Sequence, residues 1–242
     1  MLSYRHALHA GNFGDVIKHI VLVEIIDYLI LQNEALVYID THAGAGLYQL
    51  DTVTTTRVDG SSKAITTLKA EDWPELVRYF DIIHSFNMNG SMKLYPGSPL
   101  IVKQLMRSRD RAWLYELNPV EFGLLRKNFS EHDKRFSLCQ EDGFIRLPDL
   151  LPLISGRGVI LIDPPYESES DYDTAFDTIL DAHNKFASGI YVLWYPVVDR
   201  QRIIQLQERF VNSGIADIQQ FELCLKADSS DNGMTAAGVI VI

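Results

Sequence analysis

The run Gly158-Val-Ile-Leu-Ile-Asp163, followed at once by Pro164 and Pro165, constrains this chain more than any other feature. A continuous apolar run of strand length has both faces buried, as in a central parallel strand covered by helices above and below. The two prolines fix the backbone and remove two N–H donors, so the strand ends abruptly at Asp163. Around this strand the apolar pattern alternates between period two and period 3.6. It predicts strands at 35–40, 112–116, 136–141 and 190–195, and helices at about 16–31, 99–107, 119–129, 172–187 and 199–212. Asp15 is the expected N-cap of the first helix, and Asn118 with Pro119 at the first helical position opens another. Two last strands, 218–225 and 234–242, are joined by the turn-like Asp228-Ser-Ser-Asp-Asn-Gly233, which predicts an antiparallel pair. The pattern implies a Rossmann-like, doubly wound α/β fold with a mostly parallel seven-stranded sheet and an antiparallel final hairpin.

Residues 47–95 break this alternation. They are polar at first and then helical, around 64–70 and 74–87. We expect a core formed by residues 1–46 and 96–242, interrupted by a small helical insertion at 47–95. A chain of 242 residues with 47% hydrophobic content can bury such a core. The longest apolar stretch near the N-terminus is interrupted by Glu24 and Asp27, too soon for a membrane span. The first residues lack the plan of a signal peptide, so the expectation is a cytoplasmic protein. Cys139 and Cys224 sit in apolar strand-like runs and read as buried thiols of a reducing compartment, with no disulfide framework. No metal-ligand spacing is visible, and no metal is expected. Nothing in the sequence signals obligate assembly, so a monomer is expected.

In doubly wound sheets, ligands bind at the carboxyl ends of the strands. Four such ends carry suitable groups. Asp40-Thr-His-Ala-Gly-Ala-Gly46 follows the first strand, and its glycines, Gly44 and Gly46, allow backbone to approach a cofactor closely. A dinucleotide site wants a third glycine three residues on, where this chain has Leu47, Tyr48 and Gln49, which argues against a dehydrogenase. Glu116 ends the second strand, where a carboxylate can accept hydrogen bonds from both ribose hydroxyls of a nucleoside cofactor. Glu141-Asp142-Gly143 follows the third strand, where an acid can take the amino group of an adenine ring. Asp163-Pro-Pro-Tyr166 ends the most buried strand. There the Asp163 carboxylate and the Pro164 carbonyl can both accept hydrogens from one amino group, and Tyr166 offers a face for a planar ring. Amine methylation is the chemistry these groups support, and the residues alone leave the substrate open.

The tetrapeptide Asp163-Pro-Pro-Tyr166 matches the signature of amino-methyltransferases, which modify adenine, cytosine or glutamine amines. The resemblance narrows further. The start Tyr4-Arg-His-Ala-Leu-His-Ala-Gly-Asn-Phe-Gly-Asp-Val-Ile-Lys-His19 resembles the opening of the RlmJ family. So do Asp40-Thr-His-Ala-Gly-Ala-Gly46, Tyr95-Pro-Gly-Ser-Pro99, Ile162-Asp-Pro-Pro-Tyr166, Leu193-Trp-Tyr-Pro-Val197 and Gly233-Met-Thr-Ala-Ala-Gly238, in order along the whole chain. The family methylates N6 of one adenine in 23S ribosomal RNA. The resemblance implies a class I methyltransferase fold that uses S-adenosyl-L-methionine and releases S-adenosyl-L-homocysteine. It implies that His19, His42, Ser98, Glu116, Asp142, Gly143 and Asp163 line the cofactor site, with Asp163 catalytic and Tyr4 on the RNA. Family members usually continue past the last strand with a Pro-rich, Trp-containing tail.

The expected chemistry is direct methyl transfer to an exocyclic amine held by Asp163 and Pro164, with Tyr166 stacking on the base. An acidic chain, with net charge −10, must meet RNA through a local basic patch. The candidate is the N-terminal stretch with Arg5, His6, His9, Lys18 and His19 beside one acid, Asp15. Tyr4, Arg5, His6, Lys18 and Tyr166 are therefore the expected RNA contacts. Two rival readings share the site: a DNA-adenine or protein-glutamine methyltransferase on the same core, and a non-catalytic RNA-binding protein.

Overall fold

The structure, a computed structural model, describes residues 9–50, 64–88, 91–151, 156–228 and 233–242. Tyr4, Arg5 and His6, the polar start of the expected insertion and the tip of the last turn lie outside the described residues.

Seven strands form one sheet: β1 (Leu36–Asp40), β4 (Arg111–Tyr115), β5 (Phe136–Cys139), β6 (Arg157–Ile162), β7 (Ile190–Val197), β8 (Gln219–Cys224) and β9 (Ala236–Val241). Their spatial order is β5-β4-β1-β6-β7-β9-β8. The first five run parallel, and β9 lies antiparallel between β7 and β8. The chain builds outward from β1 through β4 to β5, then crosses back to β6 on the other side of β1. This reversal opens a crevice at the carboxyl ends of β1 and β6, where such sheets bind ligands.

β6 behaves as its sequence demands. Val159, Ile160, Leu161 and Ile162 are all 0% exposed, and burying each stabilises the fold by about 2 kcal/mol. Period two sends them to opposite faces. Val159 and Leu161 join Tyr38 in one core with α1 (Phe13–Ile30), α4 (Ser98–Leu105) and α5 (Pro119–Lys127). Ile160 and Ile162 join Ile39 in a second core with α6 (Gly143–Leu150), α7 (Ser170–Lys185) and α8 (Arg200–Asn212).

Three local expectations need correction. The N-cap of α1 is Asn12, whose side chain accepts from Asp15 N at 2.9 Å. Asp15 is the third helical residue, and its carboxylate reaches back to Gly11 N at 2.9 Å. Asparagine and aspartate cap equally well, and the three-residue spacing between them made either assignment open. Cys224 is exposed rather than buried, because β8 is the edge strand of the sheet, while Cys139 is half-buried. The expected basic face of the N-terminal stretch is also absent where described, since Lys18 and His19 are 3% and 0% exposed.

Between β1 and α4 the chain forms a two-stranded antiparallel ribbon of β2 (Leu47–Gln49) and β3 (Leu94–Pro96), with α2 (Ala64–Thr67) and α3 (Val77–Ser85) between them. Ile65, Tyr79, Phe80 and Ile83 are buried in the same core as α1. No helix among the described residues is long and apolar enough to cross a membrane.

Two glycines test this packing in opposite directions. A Cβ on Gly143 would lie 2.2 Å from the carbonyl oxygen of Thr41, so the first turn of α6 sits against the β1 loop only because residue 143 has no side chain. Gly123, in the middle of α5, has nothing within 4 Å of a built Cβ. Gly143→Ala should destabilise by about 1–3 kcal/mol through overpacking. Gly123→Ala should stabilise by about 0.5–1 kcal/mol through helix propensity and the unfolded state. Chemical denaturation of the two variants checks both signs.

Candidate active site

A cavity of about 500 Å³ opens at the crevice. Its wall carries Thr41, His42, Ala43 and Gly44 from the loop after β1, and Glu116, Leu117 and Asn118 from the end of β4. Asp142 and Gly143 come from the end of β5, and Asp163, Pro164 and Pro165 from the end of β6. Asn12, Asp15 and Lys18 from the start of α1 close one side, and Trp194 of β7 contributes an aromatic edge. All four strand ends selected from the sequence therefore meet in one cavity.

The β1 loop is held from below. Thr41 N donates to Leu161 O at 3.1 Å, and Ala43 N to Tyr115 O at 2.8 Å, tying the loop to β6 and β4. Asp40 is fully buried and accepts from Tyr38 Oη at 2.7 Å, Ser98 Oγ at 2.6 Å and His42 N at 3.3 Å. Burial pushes its carboxyl up to about 6, against the hydrogen bonds from Ser98 and Tyr38. Ser98 thus anchors the first turn of α4 to β1 as well as lining the cavity. Thr41 Oγ1 donates to Leu161 O at 3.1 Å and also lies 2.8 Å from His42 Nδ1. Burial lowers the His42 imidazole to about 4, so it is neutral at physiological pH.

The two acids that end β4 and β5 both organise backbone. Glu116 accepts from Gly44 N at 2.8 Å and Asn118 N at 2.7 Å. Burial raises its carboxyl, and those two N–H groups oppose the rise. Gly44 has φ +61°, and a Cβ there would meet the Tyr48 hydroxyl at 2.2 Å. Asp142 is the N-cap of α6 through Oδ1, which accepts from Phe144 N and Ile145 N at 2.9 and 3.3 Å.

Asp163 does not stand alone. Its Oδ2 accepts from Lys18 Nζ at 2.5 Å, and the same ammonium donates to Asp15 Oδ1 at 2.8 Å. Burial opposes the Lys18 charge, but the Coulombic attraction and hydrogen bonds of the two carboxylates outweigh it and hold the ammonium above the usual lysine range. Trp194 lies beneath the ammonium, 5.7 Å from ring centroid to Nζ, and its Nε1 donates to Gly14 O at 3.0 Å. Lys18 is thus an internal partner of Asp163, not a surface contact.

Several expected site residues stand elsewhere. His19 lies behind the wall, with Nδ1 2.7 Å from the Tyr95 hydroxyl. Gly46 also stands outside the wall, with φ +79°. Tyr166 has φ +51°, a left-handed backbone that costs a non-glycine residue about 1–3 kcal/mol. Its ring packs on Tyr172 and Trp194, and its hydroxyl donates to Trp194 O at 2.5 Å. In this conformation Tyr166 is not part of the cavity wall. Sequence reasoning passed over Asp15, Asp40, Tyr48, Glu121 and Trp194. Of these, Asp15, Asp40 and Trp194 lie within the motifs that carry the resemblance, whereas Tyr48 and Glu121 carried no signal.

The donor and acceptor set fits S-adenosylmethionine. Glu116 can accept ribose hydroxyls, Asp142 an adenine amine, and Gly44 admits close backbone approach. Six acids (Asp15, Glu116, Glu121, Asp142, Asp163 and Glu167) share the wall with one lysine, an excess that favours a cationic sulfonium. Fold and site together define a class I S-adenosylmethionine-dependent methyltransferase. The comparisons with known proteins agree. A profile of the family described as "RsmJ: Ribosomal RNA large subunit methyltransferase D, RlmJ" matches residues 33–242. The chain is 45% identical over 244 residues to "Ribosomal RNA large subunit methyltransferase J" of Escherichia coli K12, covering 100% of this chain and 87% of that protein. Identity to the protein of the same name from Haemophilus influenzae is 42% over 245 residues, with the same coverage. Among solved structures, protein LPL1258 from Legionella pneumophila superposes with a TM-score of 0.84 at 33% identity, over 97% of this chain and 86% of that one. The METTL16 methyltransferase domain shares the fold, with a TM-score of 0.50 at 12% identity over 92% of this chain and 65% of that one. The chain belongs to the RlmJ family of ribosomal RNA large subunit methyltransferases.

Removing the ammonium tests how the site is held. Lys18→Met leaves Asp15 and Asp163 as neighbouring carboxylates, with side chains only 3% and 15% exposed. Breaking a buried pair in this way costs about 3–5 kcal/mol, and each kcal/mol lowers the melting temperature of a domain this size by about 2–4 °C. Scanning calorimetry of Lys18→Met should show a fall of that order, and a melting temperature equal to the parent's would refute the coupling.

Proposed function

We propose that this protein transfers a methyl group from S-adenosyl-L-methionine to N6 of an adenine in 23S ribosomal RNA. The observation that carries the proposal is the placement of Asp163 and Pro164 at the topological switch point, in one cavity with Glu116 and Asp142. The names of the relatives supply the RNA substrate.

The cofactor supplies the methyl group as a sulfonium. In this reading Glu116 takes its ribose, Asp142 its adenine amine, and His42, Gly44, Gly143 and Ser98 shape the remaining wall. His19 and Gly46 support that wall from behind. Asp163 and the Pro164 carbonyl each accept one hydrogen of the target amine. That arrangement favours a pyramidal nitrogen with its lone pair aimed at the methyl donor, and positioning of this kind contributes much of the acceleration. The Asp163 carboxylate also stabilises the positive charge that develops on nitrogen. Lys18 holds one oxygen of Asp163 at 2.5 Å, which leaves Oδ1 to meet the amine.

An adenine inside a helix must be flipped out to reach this depth. Tyr166 would have to swing off Tyr172 and Trp194 to stack on it, and its left-handed backbone is the strained element that could release. We assign Tyr4, Arg5 and His6 to the RNA, with residues 47–95 as an inserted subdomain beside the cavity. The working form in this reading is a cytoplasmic monomer that needs no metal.

Asp163→Ala should keep the fold and cut methyl transfer at least about 100-fold, the scale of losing one group that stabilises transition-state charge. The assay is incorporation of labelled methyl into undermodified 23S RNA, with DNA and protein acceptors alongside. Full activity in the variant would sink the assignment, and incorporation into DNA or protein alone would redirect the substrate.

A further inference from the structure

Glu121 is the third residue of α5, whose N-cap is Asn118. A glutamate at this position ordinarily reaches back to the N-cap N–H and closes a capping box. Here that N–H is already taken by Glu116 Oε1 at 2.7 Å. Glu121 lines the cavity instead. Its Oε2 is buried and has no hydrogen-bond partner among the described residues. A buried carboxylate oxygen without a donor is costly, so its retention calls for a donor from outside the chain. Glu121 shares that wall with Glu116 from the end of β4, with Gly44 of the glycine loop and with Tyr48.

Glu116 has spent one acceptor position on each oxygen, on Gly44 N and Asn118 N. A vicinal diol brings two adjacent hydroxyl donors to such a place. We propose that Glu121 is a cofactor-positioning residue that accepts one hydroxyl of the cofactor ribose while Glu116 accepts the other. The inference rests on the S-adenosylmethionine reading of the cavity. It adds a second acid, on a helix turn, to the strand-end acid of that reading.

Calorimetric titration with S-adenosylhomocysteine separates the two claims. If the parent protein does not bind this ligand, the cofactor reading itself fails. If it binds, Glu121→Leu should weaken binding about tenfold or more, as expected for losing a hydrogen bond to a charged group. Glu121→Gln keeps a carbonyl acceptor and should lose less. The ligand lacking the 2′- or the 3′-hydroxyl should bind the parent more weakly, and for one of the two the Glu121→Leu loss should disappear, as a double-mutant cycle requires. The ligand-free variants should melt no lower than the parent, because an unsatisfied carboxylate has been removed. Unchanged affinity, additive losses with both deoxy ligands, or a lowered melting temperature that marks Glu121 as structural would each overturn the proposal.

Discussion

The site depends on one buried ammonium. Lys18 lies on α1, 145 residues from Asp163, and bridges it to Asp15 within the cavity wall. Without that charge the end of β6 would face Asp15 as a second carboxylate in a poorly solvated place, where like charges repel strongly. With it, α1 is locked against the carboxyl end of the sheet, and Trp194 reinforces the lock by donating to Gly14 O. The first helix therefore forms part of the cavity wall and is not merely one cover of the sheet. A charge that looks like an RNA-binding lysine from its neighbours in sequence serves as the internal counter-ion of the Asp163 carboxylate.

The other ionisable groups follow from burial. Asp40 is raised to about 6 and His42 lowered to about 4, both chiefly by desolvation. For Asp40 the folded value lies above the unfolded one. Its contribution to stability is thus present at low pH and is lost as pH rises through about 6. For His42 the folded value lies below the unfolded one. Its contribution is present above the ordinary imidazole range and is lost as pH falls toward 4. Near neutral pH, His42 is therefore an uncharged acceptor beside a cavity rich in carboxylates.

Most of this architecture was legible because it is periodic. The apolar run of β6, the alternation on either side of it and the Asn118-Pro119 start of α5 each carry their structural meaning locally. The strand-end rule then turns sequence positions into spatial neighbours, which groups Glu116, Asp142 and Asp163 from the sequence alone. Illegible features were those that depend on distant partners. The β2–β3 ribbon joins three-residue strands whose register partners lie 45 to 49 positions apart, and strands that short carry no periodicity. Asp15 and Asn12 are equivalent caps by type, and only the three-dimensional position of Lys18 shows why Asp15 turns inward. Cys224 reads as buried because Phe221, Leu223 and Leu225 surround it in sequence, yet β8 is the sheet edge. Tyr166 follows two prolines and reads as a projecting ring. Its left-handed backbone instead folds it onto Tyr172.

In the proposed reading, this cavity methylates an adenine amine of 23S RNA through Asp163. Mass mapping of 23S RNA from cells lacking the protein, with the parent or the Asp163→Ala chain restored, tests it most directly. One N6-methyladenine should be missing in the deletion, returned by the parent chain and not by the variant. An unchanged methylation pattern in the deletion would contradict it.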